Sequence, residues 1–178
     1  MFREMRRKRQ ELSQVQCEAV LGRGTCGVLA VSGDDGYPYA VPISYVYDNG
    51  KIFFHSAKRG HKIDAVRKDN KVSFCVTDQD QIMPAEYTTY FRSVIVFGRL
   101  QILQDEAEKL AAIEKLAVKY APEDSAQHRN KAIEQEWEAF CILEMTIEHM
   151  TGKEAIELIK AGRRSNESAS NSAKSILS

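Results

Sequence analysis

Two tight-turn signals frame a strand that proline interrupts. Ser32–Gly36 (SGDDG) and Asp48–Gly50 (DNG) are rich in residues that accept positive φ, and both lie between β-branched and aromatic runs. Connections this short join antiparallel neighbours. The run between them, Tyr37–Tyr47, carries prolines at 38 and 42. Proline has no N–H to give a ladder, so this strand is expected at an edge or at a bulge near Pro42. Two readings of the break stand side by side. It marks a barrel corner, or it leaves backbone groups at Val41, Ile43 and Ser44 open to a planar ligand.

The rest of the chain supplies partners for that strand. Gly27–Val31, Ile52–His55, Lys71–Thr77, Arg92–Leu103 and Cys141–Glu148 read as further strands, with a possible bulge at Gly98. Asp78–Tyr90 has no clear period and reads as a loop; Thr151–Lys153 reads as a turn. Ser13–Gln16 and Asp105–Glu108 are capping signatures, each opening a helix. The second helix carries Leu110, Ile113, Leu116, Ala117 and Tyr120 on one stripe, read as core packing. Arg129–Glu138 and Glu154–Ala161 are also expected to be helical. Six strands linked largely by hairpins predict an α+β fold of mainly β character, an antiparallel sheet curled into a barrel with peripheral helices. Residues 1–162 form the expected domain, opening with a basic arm, Met1–Gln10. Residues 163–178 are serine- and asparagine-rich and read as a disordered polar tail.

The stretch Lys51–Asp69 bears the clearest chemical signal. A strand ending at His55 runs through a small, basic loop to Gly60 and into a helix start at His61. The first N–H groups of a helix lack partners and their dipoles favour an anion. Ser56 would add a hydroxyl, Gly60 a close backbone approach, and Lys62 a compact positive charge. The spacing is neither a Walker loop nor Gly-x-Gly-x-x-Gly. His55 and His61 flank the loop, without the further Cys, Asp or Glu ligands that a metal site needs, so no metal is expected.

Composition narrows the classes. The 178 residues balance 25 Lys and Arg against 25 Asp and Glu, which disfavours a nucleic-acid partner. No apolar run approaches ~18 residues, so no membrane span is expected. The four cysteines are widely spaced and read as reduced and structural, which fits the cytoplasm. Glu134, Glu136 and Glu138 read as a solvated helix surface, with Trp137 in a core or interface. A helix start supplies an anion with about 1 kcal/mol, whereas micromolar affinity needs about 8 kcal/mol net. A phosphate corner therefore needs a buried ring beside it, and a second subunit is the natural cover.

The segments GYPYAVP (36–42), FHSAKRGHK (54–62), KVSF (71–74), RSVIVFG (92–98) and TGK (151–153) together resemble the flavin-binding split-barrel family related to pyridoxamine 5'-phosphate oxidase, above all its nitroimidazole-resistance branch. That resemblance implies a six-stranded split barrel and a homodimer with flavin sites at its interface. It implies FMN as cofactor, with FAD possible and haem, held through His55 or His61, as a lesser alternative. Ser56, Ala57, Gly60, His61 and Lys62 would hold the phosphate. Val41, Pro42, Ile43 and Ser44 would lie along the flavin ring, and Arg92 and Ser93, from either subunit, would close the site. His55 is the candidate catalytic residue. The implied activity is an oxidoreductase acting on small molecules such as 5-nitroimidazoles, or else a flavin- or haem-binding module without catalysis. Pyridoxamine phosphate oxidase-like activity is disfavoured, because the chain has no arginine-rich C-terminus.

Overall fold

The computed structural model describes residues 1–162. The expected tail at 163–178 lies outside the described residues. One antiparallel sheet of seven strands forms the body, in the order β2-β1-β5-β6-β7-β4-β3. Its members are β1 (Cys26–Ser32), β2 (Pro38–Ser44), β3 (Val46–Asp48), β4 (Lys51–Ala57), β5 (Lys71–Met83), β6 (Thr88–Ile102) and β7 (Phe140–Glu154). This is the split barrel expected from the sequence, with seven strands instead of six. The expected strand Tyr37–Tyr47 breaks at Tyr45, so its halves become the two edges of the sheet, β2 and β3. The barrel thus closes through the chain at Tyr45 rather than through a ladder. Both prolines sit in edge strand β2, as their missing N–H groups require.

Alternation fills the barrel. Leu29, Phe54, Phe74, Val94, Val96 and Leu143 turn inward and are fully buried. Phe74 makes edge-on contacts with Tyr45 and Phe54 at centroid distances of 4.9 and 5.1 Å. Burying each such ring stabilises the fold by about 1.5–3 kcal/mol. On β4 the neighbouring Phe53 is buried on the opposite face, in a second cluster with Leu116, Phe140 and Ile142. That cluster seats α3 (Glu106–Tyr120), and α4 (Ala126–Glu136) follows it. Asp105 and Ser125 cap these two helices, and Ser13 with Gln16 forms the capping box of α1 (Gln14–Arg23).

Three local expectations are corrected. Asp78–Tyr90 is not a loop: β5 and β6 continue as a two-stranded ribbon, pairing from Gln79↔Arg92 to Met83↔Thr88. Past Arg92 neither β1 nor β7 is paired with the ribbon, so no face is buried and no alternation is imposed on the sequence. Thr151–Lys153 is not a turn but lies within β7. Gly152 is required there by packing: a Cβ would sit 2.6 Å from Cys17 Sγ and 2.9 Å from Leu12 Cδ1. Helix bounds also move, to 126–136 for α4, and the final helix starts at 156 rather than at Glu154. The irregularity at Gly98 is observed, with a register shift between Phe97 and Gly98 against β7. The N-terminal arm crosses the outer face of the sheet, where the Phe2 ring stacks on His149 at 4.6 Å and meets Phe97 at 5.5 Å. Among the described residues no helix is long and apolar enough to cross a membrane.

Candidate functional site

The β4–α2 corner forms as expected, with α2 spanning His61–Lys68. Gly60 precedes it at φ 125°, ψ 169°, a conformation open only to glycine. Its carbonyl accepts from the N–H groups of Ile63 and Asp64 at 2.9 and 3.1 Å. No side chain caps α2, so the N–H groups of His61 and Lys62 face outward. Lys62 forms no salt bridge among the described residues, whereas Lys58 is engaged by Glu138 at 3.0 Å. Lys62, Lys109, Arg67 and Lys58 all lie close enough to favour the thiolate of buried Cys141, although burial outweighs them and raises its pKa. The corner is a positive pocket wall.

Two residues of the expected corner are turned elsewhere. Ser56 alternates with His55 and faces into the barrel, where it is buried and its hydroxyl donates to the Ala57 carbonyl at 3.1 Å. The His61 ring stacks on Tyr39 at 4.2 Å, with Nε2 3.6 Å from Asp34 Oδ2. His61 therefore contributes its N–H group to the corner and its ring to the β1–β2 turn.

A cleft of about 620 Å³ lies beside the corner. Pro42, Ile43 and Ser44 form one wall and His55 part of the floor; Val41 lies outside it, its side chain packed on the barrel core. α3 adds Ile113, Leu116, Ala117 and Tyr120 to the lining, and α4 adds Arg129, Ile133 and Glu136. The α3 stripe read as core packing is thus divided. Leu116 is buried, but the stripe also lines the cleft, and Leu110 is 42% exposed. Glu136 likewise is a cleft residue, close enough to His55 to influence its charge, while Glu138 pairs with Lys58. Trp137 packs edge-on against Phe140 at 5.7 Å, with Lys109 Nζ 3.9 Å above its ring.

His55 links cleft and corner. Its ring lies 5.0 Å from Phe140. Burial lowers its pKa from the ordinary 6.5, the positive Lys62 lowers it further, and Glu136 partly opposes both. The imidazole is therefore neutral near neutral pH, with one donor and one acceptor nitrogen.

Within one chain, Arg92 and Ser93 do not join the cleft. Arg92 is committed to Glu154, from Nε at 2.8 Å, and to Asp78, from Nη1 at 3.2 Å. Ser93 lies in mid-sheet, between Thr77 and Lys153. Sequence reasoning missed Tyr120, Arg129 and Glu136, whose role depends on how α3 and α4 fold back over β2. A larger hollow, about 720 Å³, lies between α1 and β7 and includes Glu11, Glu18 and Glu148 but none of the expected residues.

The family model for pyridoxamine 5'-phosphate oxidase matches residues 13–154. The chain belongs to that family. Solved structures agree on the fold. A protein of Bacteroides thetaiotaomicron, proposed to confer 5-nitroimidazole antibiotic resistance, superposes with a TM-score of 0.67 at 18% identity, over 80% of this chain and 85% of its own. An FAD-binding protein from Mesorhizobium loti is 26% identical, with a TM-score of 0.61 over 82% of this chain and 95% of its own. A flavocytochrome from Azotobacter vinelandii gives 0.68 at 18% identity, over 85% and 72% of the two chains. No curated protein matches the chain.

Proposed function

We propose that the chain is a flavin-dependent oxidoreductase of small molecules that works as a homodimer. The observation that carries this reading is the uncapped start of α2, with Lys62 in no salt bridge among the described residues, opening next to the apolar cleft of Pro42, Ile43 and Ser44. A flavin nucleotide has those two parts, a phosphate and a ring to bury. The residues present fit it. The N–H groups of His61 and Lys62, the Lys62 ammonium and the close approach at Gly60 suit the phosphate. Pro42 to Ser44 suit the ring. When bound, the flavin supplies the electron transfer. The chain's own part is to orient the ring against β2, exclude water with the α3–α4 wall, and present the neutral imidazole of His55 for proton transfer.

The homodimer is supported by the outer face of the sheet. Pro42, Val28, Cys75, Ile95 and Thr151 stand in register across five strands. Val28, Ile95 and nearby Phe97 are 39, 40 and 37% exposed. A second copy covering this row would reach the cleft at Pro42 and could bring its own Arg92 and Ser93 toward the site. The likeness to the Bacteroides protein makes 5-nitroimidazoles the first substrates to try, and FAD stands beside FMN because the Mesorhizobium protein binds FAD. Haem held through His55 is the second reading, favoured by the neutral imidazole and by the flavocytochrome neighbour.

The visible spectrum of the purified protein tests the proposal. Flavin absorbance, retained or restored by added FMN or FAD, is expected, and mass spectrometry of the released cofactor separates the two. A colourless protein that takes up neither flavin sinks the reading; uptake of haemin alone moves it to the haem alternative.

A further inference from the structure

Arg129 carries a charge that no salt bridge neutralises among the described residues. It stands in the first turn of α4, half-buried, and lines the cleft together with Ser44 and His55. A cation at a helix N-terminus opposes the macrodipole, so the position is electrostatically unfavourable unless an anion is near. The Asp124 carboxylate lines the same cleft, but among the described residues it forms no salt bridge with Arg129. The side chain's one hydrogen bond among the described residues runs from Nη1 to the Asp124 main-chain carbonyl, at 3.3 Å. The Asp124 carboxylate is engaged by His128 Nδ1 at 2.8 and 3.0 Å. Arg129 makes no salt bridge among the described residues.

The surroundings define what would meet it. Pro42, Ile43, Ala117 and Ile133 make the space between β2 and the helices largely apolar. Glu136 lies on the same face of α4, seven residues on, about 10 Å along the axis. Its carboxylate repels an anion from that end; at the other, Arg129 and the helix start attract one, against the Asp124 carboxylate that lines the cleft beside them.

We propose that Arg129 is a specificity-determining residue that anchors the carboxylate, or an oxyanion of like geometry, of a small substrate with an apolar body. This rests on the flavin reading in one respect: it takes the cleft as the substrate side of the redox site. Anion binding itself is independent of that reading.

The test uses the purified full chain as isolated. Benzoate and its neutral isostere benzamide are titrated by calorimetry against wild type, Arg129→Gln, Arg129→Lys and Glu136→Gln, with circular dichroism confirming the fold of each. Wild type is expected to prefer benzoate by about tenfold or more, the range of one hydrogen bond to a charged group. Arg129→Gln should abolish the preference and Arg129→Lys keep part of it, since lysine retains the charge and loses the fork. Glu136→Gln should tighten benzoate and leave benzamide unchanged, which keeps the test decisive should Arg129→Gln not fold. Equal binding of the two probes, binding of neither, or a preference that survives Arg129→Gln overturns the assignment. Flavin content is read separately: a yellow protein without benzoate preference loses only the Arg129 assignment, and a colourless one with it loses only the flavin reading.

Discussion

The hydroxyl of Tyr120, at the end of α3, lies 2.9 Å from both the main-chain nitrogen and the main-chain oxygen of Tyr45. Tyr45 is where the barrel wall leaves β2 and starts β3, so its backbone has no ladder partner. The hydroxyl accepts from the Tyr45 N–H and has a choice of carbonyls for its proton, Tyr45 or Thr25. One side chain thus satisfies the gap in the barrel and fixes the strand that forms the cleft wall. The Tyr45 ring is fully buried, and its own hydroxyl donates to Leu21 O at 2.8 Å.

Tyr120→Phe keeps the ring and removes the bridge. It is expected to destabilise the fold by about 1–3 kcal/mol, the cost of leaving buried main-chain groups unpaired. Urea unfolding measures this. An unchanged midpoint would show that water replaces the hydroxyl at no cost. Under the proposed function the variant should also bind flavin more weakly, because Ser44 adjoins the loosened residue.

Lys62→Ala should weaken flavin binding by about 1–3 kcal/mol, through loss of one charged hydrogen bond. Lys68→Ala, at the far end of the same helix and paired with Asp34 at 2.7 Å, is the control and should change nothing. Dissociation constants from flavin fluorescence quenching decide it. If both variants match wild type, Lys62 does not hold the phosphate.

These two residues mark what the sequence made legible. The α2 corner could be read because everything it needs is local: a strand, a loop, a glycine and a helix start in one short stretch. Its inner detail follows alternation that is equally local: Ser56 shares the parity of Phe54 and turns into the barrel. Tyr120 and Arg129 were illegible for a different reason. Apolar periodicity tells which side of a helix turns inward, but here that same stripe faces a cleft as well as the core, and only the return of α3 and α4 over β2 decides the division. The β5–β6 ribbon was missed because pairing without a buried face leaves no periodic trace.

The depressed pKa of His55 has a consequence for stability. As pH falls through the ordinary value of 6.5, the unfolded chain takes up a proton that the native imidazole resists. The unfolded state then binds more protons, so stability declines from 6.5 down to the native value and flattens below it. His55→Gln removes this contribution. Thermal midpoints of wild type and variant should converge as pH is lowered from about 8 to about 5, with wild type losing more. Parallel curves would show that His55 is not desolvated.

Asp78 works in the opposite sense. Arg23 Nε and Nη2 reach its two oxygens at 2.6 Å, and Arg92 adds a contact at 3.2 Å. The hydrogen bond from Arg23, joined by that from Arg92, holds its pKa below the ordinary 3.8 against the opposing effect of burial. The stabilisation is therefore complete above 3.8 and is lost as pH falls through the native value. Asp78→Asn should cost about 1–3 kcal/mol at neutral pH, discounted from a fully buried pair because Arg23 is half exposed. Its acid limb should also be shallower than that of wild type. Chemical denaturation across the acid range checks both, and an acid limb as steep as wild type's would assign that loss to other carboxylates.

The apolar row on the outer sheet makes the oligomer testable with a single charge. Ile95 lies near the middle of that row, in register with Cys75 and Thr151, and its side chain is turned away from the barrel core. A glutamate there points outward, so the monomer's interior is undisturbed and its fold should survive. In a dimer that buries this face, the two-fold axis brings the same surface of both copies together, and an unpaired carboxylate would be desolvated in each. Ile95→Glu is therefore expected to run as a monomer in light scattering while wild type runs as a dimer. If the proposed flavin site needs the second copy as its cover, the variant should lose flavin at the same time. A variant that stays dimeric would move the interface to another face. A monomer that keeps its flavin would show that β2, the α2 corner and the α3–α4 wall suffice to enclose the ring.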